Sequence, residues 1–191
     1  MRAAMSEVVT RLFDSYADAE SAVRELEASG VSHHDITLIA NDELARRRAK
    51  RADDEEGDVP GHASRVDAEV GGEVGGVAGL LAGIGILAIP GIGPVAVAGW
   101  AVSAIAGAVV GVTVGSAAGG IVGALTHHGV HEADAHVCAE AVRRGGALVS
   151  AKVSPERVTA VEAILHRFSG VDAATRGAEY RTTGWTRFQH A

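Results

Sequence analysis

The chain has 191 residues, of which 21% are charged, and a formal net charge of -7. That acidic balance argues against a nucleic-acid binder, whose surface is normally basic. Glycine is over-represented, with 25 residues against a usual share of about 7%. Aromatics, at 4%, are few, so the core must draw on Val, Leu, Ile, Ala and bare backbone. One cysteine, Cys138, allows no intrachain disulfide, and a reducing compartment is the default. The opening MRAAMSEVVTRLFD has no apolar core region and no small-residue cleavage site, so a cytoplasmic start is expected.

In chain order, Glu7 to Phe13 is rich in β-formers and predicts a strand. Ser15, three residues before Asp18, predicts a helix start. Ala19, Val23 and Leu26 share a face of that helix, which should stop at Gly30. Asp35 to Ala40 predicts a second strand. Residues 41–69 carry ARRRAKR and then ADDEEGD, opposite charge blocks that cannot build a core, and read as a linker. The basic run is a candidate contact for anionic lipid.

From Val74 to His131 there is no Asp, Glu, Lys or Arg. IPGIGP, with Pro90, Gly91, Gly93 and Pro94, should interrupt this stretch as a hairpin turn. Glycines recur every four residues on either side: Gly71, Gly75, Gly79 and Gly83, then Gly107, Gly111, Gly115, Gly119 and Gly123. Extending the second series backwards reaches Ser103 and Gly99. An interior glycine costs a helix about 1 kcal/mol relative to Ala. Spacing of four puts the glycines on one line, where two backbones can approach closely and offset that cost. The other faces carry Leu80, Leu81, Ile84, Leu87, Val102, Ile105, Val109, Val112, Ile121 and Val122. A glycine-zipper helical hairpin, apolar all round and buried in lipid or in an oligomer, is therefore expected over residues 70–128. Its arms offer about 16 and about 30 uncharged residues, against the ~20 a span needs. Both ends fall on one side, with the basic cluster beside the first.

After Glu132 the mixed pattern returns. Glu132 to Arg144 predicts a helix ending at Gly145-Gly146, Ala147 to Val153 a strand, and Ser154-Pro155 the start of a further helix. That helix carries Val158, Val161, Ile164, Leu165 and Phe168, and Val171 to Arg176 can supply a fourth strand. The order predicts an α+β fold: a ferredoxin-like βαββαβ domain with the helical hairpin inserted between its second and third strands. Residues 6–40 and 130–177 form its two halves, and residues 178–191 a tail.

Candidate chemistry is sparse. On a continuous helix His128, Glu132 and His136 would share a face and form a candidate metal set. Gly129 should break the helix there, so no metal is assigned. Cys138 sits on an apolar helical face and reads as a buried, inert thiol. The glycines near position 75 follow no strand and do not make a dinucleotide site.

FDSYADAESAVRELEASGVSHHDITLIA, GLLAGIGILAIPGIGPVAVAGW, GGIVGAL and HEADAHVCAEAVRRGGALVSAKV together resemble the bacterial heat-induced, YflT-like general stress proteins. The resemblance covers most of residues 6–176. It implies a stress-associated, non-enzymatic role with no catalytic residue. No cofactor, nucleic acid or small-molecule substrate is expected. The expected partners are membrane lipid and further copies of the chain. The expected location is the cytoplasmic membrane, with both hairpin ends facing the cytoplasm; the alternative is a cytoplasmic homo-oligomer that buries the hairpin.

Overall fold

The computed structural model describes residues 6–41, 43–47, 84–89, 92–102, 105 and 120–188. In chain order the strands and helices are β1 (Glu7–Phe13), α1 (Tyr16–Ala28), β2 (Ile36–Ala40), β3 (Gly85–Ile89), β4 (Gly93–Gly99), α2 (Ile121–His127), α3 (Glu132–Arg143), β5 (Ala147–Val153), α4 (Val158–Arg167) and α5 (Ala173–Thr182). The fold is α+β, with one antiparallel sheet of five strands in the order β1-β5-β2-β4-β3.

Local signals set several of these elements. Ser15 caps α1, accepting the Asp18 N–H on its side-chain oxygen at 3.2 Å, and the chain leaves the helix through Gly30 at φ +87. Gly129, at φ +91, follows α2, and His131 then caps α3 by accepting the Ala133 N–H at 3.4 Å. The Pro155 start is a short helical turn, Pro155–Arg157, that leads into α4.

The sheet is covered on both faces. Alternation along the strands sends Val9, Phe13, Leu38, Val149, Ala151 and Val153 to one side, where they pack with Tyr16, Ala19, Val23 and Leu26 of α1 and Val161 and Leu165 of α4. Leu12, Ile39, Val95, Val97 and Leu148 face the other way, against Ile121 and Leu125 of α2 and Val137, Cys138 and Val142 of α3. Each core thus joins elements from both ends of the sequence.

Three expectations are corrected. Residues 85–89 and 93–99 form paired strands, not parts of helical arms: β4 pairs with the open side of β2 and β3 pairs with β4. An unpaired strand side leaves a row of backbone donors and acceptors unmet, and Ile86, Ile89, Val95 and Val97 are β-branched. Pro94 fits because β2 meets only Ala96–Gly99 of β4, so its missing N–H costs no bond to β2. The predicted fourth strand at 171–176 shrinks to one bridge, Val171 with Leu12, whose N–H groups and carbonyls exchange two bonds of 2.8 Å. Asp172 then starts α5 by accepting the Thr175 N–H at 2.8 Å. The expected boundary at 177/178 therefore falls inside a helix, and part of the expected tail packs on the core through Tyr180, Trp185 and buried Phe188.

Candidate functional site

Gly71, Gly75, Gly79, Gly83, Gly107, Gly111, Gly115 and Gly119 lie outside the described residues, as do Pro90, Gly91 and the charged segment from 48 onward. Gly123 sits within α2. Gly93 opens β4 at φ +94, and Pro94 beside it is exposed. Gly99 belongs to a different kind of packing from the one its spacing suggested. It closes β4 at φ +86, and a Cβ there would lie 1.9 Å from the Ile36 carbonyl oxygen.

The histidine set is split by Gly129. His128 stacks edge-on against Trp100, with ring centroids 4.2 Å apart, and Lys152 lies 4.1 Å from the centre of the same indole. Burial lowers the Lys152 pKa, partly offset by Asp35. Burial also lowers that of His128, helped by Lys152 and His127. His136 stands apart, buried on α3, and its Nε2 accepts the Arg187 Nε–H at 3.0 Å. Glu132 Oε1 accepts from Arg187 Nη2 at 3.1 Å and lies 3.5 Å from His136 Nε2. An arginine thus occupies the lone pair that a metal would need. No group of three or more His, Cys, Asp or Glu able to hold a metal exists among the described residues.

A row of hydroxyls crosses the centre of the sheet. Thr10 and Thr37 both stand opposite Ser150. Thr10 and Ser150 are joined by a 2.8 Å hydrogen bond, and Thr37 Oγ1 accepts the Ala101 N–H at 3.0 Å. Thr37 and Ser150 are fully buried. These bonds satisfy the hydroxyls and fix register, since a slip by one residue would carry them into the opposite core.

Cys138 is fully buried, and burial, with the Asp134 charge, pushes its pKa up to about 12. The thiol should resist alkylation in the native protein at mildly alkaline pH and react only on unfolding. Mass-spectrometric counting of iodoacetamide adducts with and without denaturant checks this; rapid native labelling would refute it.

A polar cleft of about 120 Å³ lies between the end of β1, the turn joining α3 to β5, and α5. Its charged lining residues are Asp14, Arg144 and Arg176, with Tyr180 between them. Arg176 is 15% exposed and reaches Asp14 at 2.9 Å and Glu179 at 3.2 Å. Arg144 lies over the Tyr180 ring, 4.2 Å from its centre, and donates to Glu140 at 2.7 Å. Glu140 is 2% exposed and also takes two bonds from Arg143. Burial pushes the Glu140 pKa up, but hydrogen bonds and charge from Arg143 and Arg144 outweigh it and hold the carboxyl below its ordinary value. Burial raises the Tyr180 phenol, and Arg176 and Arg144 pull against that. The turn must run flush with β1, because a Cβ on Gly146 would lie 2.8 Å from the Phe13 carbonyl oxygen.

Arg144, Gly145 and Gly146 were visible in the sequence as a helix stop. Their meeting with Asp14, Arg176 and Tyr180 was not, since no spacing links positions so far apart.

The described architecture is an antiparallel five-stranded sheet covered by helices on both faces. Comparison with family models, curated proteins and solved structures finds no match for the chain.

Proposed function

We propose that the chain is a non-enzymatic, stress-associated interaction module that assembles with copies of itself through its apolar central segment, carried on a ferredoxin-like core. Support for the core comes from the adjacency β1-β5-β2, from α1 and α4 sharing one side of the sheet, and from the Val171 bridge beside β1. The stress association rests on the family resemblance alone.

The observation that carries self-assembly is the use the fold makes of the charge-free stretch. Strands β3 and β4 take residues 85–89 and 93–99 into the sheet. Ile105 and Gly120 are both buried in the fold, and the residues between them fall short of the ~20 needed for a membrane span. No helix among the described residues is long and apolar enough to cross a membrane. Strand β3 is the outermost of the described sheet, and its Ile86 is 40% exposed. The four-residue glycine series supports close backbone packing between copies.

Light scattering of detergent-free protein should find a monodisperse particle well above 19.4 kDa. Gly111→Leu or Gly115→Leu should dissociate it by placing bulk on the packing line. A strict requirement for detergent, with retention in carbonate-washed membranes, would replace this reading with the membrane-embedded hairpin, both ends facing the cytoplasm.

A further inference from the structure

We infer that the cleft between β1, the α3–β5 turn and α5 is a binding site for a phosphate group, held by Arg144 and Arg176. The inference is independent of self-assembly. Two guanidiniums and the carboxylate of Asp14 line the cleft, while Glu140 pairs with Arg144 and Glu179 with Arg176 from outside that lining. The guanidiniums come from distant parts of the chain and line one cleft, Arg144 over the face of the Tyr180 ring and Arg176 from one turn earlier on α5. A volume of about 120 Å³ admits a phosphate group.

The two arginines are held ready in different ways. Glu140, buried beneath the turn, fixes Arg144 from behind. Arg176 is held at the front by Asp14, whose side chain is 81% exposed. Asp14 therefore stands where an external oxyanion would stand, and a solvent-facing carboxylate can turn away at little cost. Planar guanidinium forks match phosphate oxygens in pairs, and two of them can grip one group from two directions. Gly145 and Gly146, with Leu12, Phe13 and Ala141, form the remaining wall. The phosphate belongs either to free inorganic phosphate or to a small phosphomonoester.

The test is a nuclear magnetic resonance titration of the full chain with sodium phosphate, against sodium chloride at matched ionic strength. The amides of Gly145, Gly146 and Tyr180 should shift and saturate. Arg144→Gln and Arg176→Gln should each weaken binding by about tenfold, the scale of one charge-assisted contact. Asp14→Asn should strengthen binding by removing the competing carboxylate, an effect that a purely structural Arg176–Asp14 pair does not produce. It carries the test by itself if an arginine variant fails to fold. A parallel titration with glycerol phosphate separates the sources: tighter binding than inorganic phosphate marks a phosphomonoester site, and equal or weaker binding marks free phosphate. Shifts that do not saturate, that survive Arg176→Gln unchanged, or that weaken in Asp14→Asn would overturn the proposal.

Discussion

Gly99→Ala should be among the most damaging single substitutions in the described chain, lowering the unfolding free energy by about 3 kcal/mol or more. Two causes add. The residue sits at φ +86, where any L side chain is strained. Its Cβ would also lie 1.9 Å from the Ile36 carbonyl oxygen and 2.9 Å from Thr37 Cα. These are backbone atoms of the paired strand, so no rotamer change relieves the overlap. The movement would pull β4 from β2 and disturb the bond from Ala101 N–H to Thr37. Gly93→Ala is the control: it has φ +94 with nothing within 4 Å of the added carbon, so only the conformational term of about 1 kcal/mol remains. Urea unfolding of both variants measures the difference. Equal losses would show that the close approach at Gly99 is relieved cheaply.

Glu140→Ala should cost about 2 kcal/mol, because it removes a buried carboxylate that accepts three hydrogen bonds from two arginines. The loss stays moderate because Arg143 and Arg144 are half exposed and can rehydrate. The pH dependence has a definite sign. The folded-state pKa is depressed, so the stabilisation is present above the ordinary glutamate value of 4.5 and fades as pH falls through the folded value. The stability gap between the native protein and Glu140→Gln should therefore be full near neutrality and close in acid. A gap that widened in acid would contradict the geometry. The same variant should loosen Arg144 and weaken phosphate binding in the cleft, which links this stability test to the site.

The elements with strong local signals were legible in the sequence. Ser15 before Asp18, Gly30, the break at Gly129 and the Gly145-Gly146 stop all act within a few residues of themselves. They set α1, α3 and the turns around them, whatever the rest of the chain does. The β-forming run Glu7 to Phe13 and the segment Ala147 to Val153 were likewise legible as strands. The site was far less legible. Asp14, Arg144, Arg176 and Tyr180 meet only because β1, α3 and α5 converge. The histidines that looked like a set were parted by one glycine, with Trp100 receiving one of them and Arg187 another.

The glycine-rich stretch shows where sequence reasoning reaches its end. By itself the sequence determined that residues 74–131 carry no Asp, Glu, Lys or Arg, and that small residues recur there at every fourth position. A spacing of four returns to the same line on a helix and also to the same face of a strand, because four is an even number of strand residues. The pattern therefore demands close approach without saying which backbone approaches which. For residues 85–89 and 93–99 only the tertiary structure decided: the open side of β2 offered unmet donors and acceptors to β4, and β4 offered its other side to β3. Gly99 kept the role its smallness implied, close passage of two backbones, but its neighbour proved to be the Ile36 carbonyl of a sheet rather than a second helix.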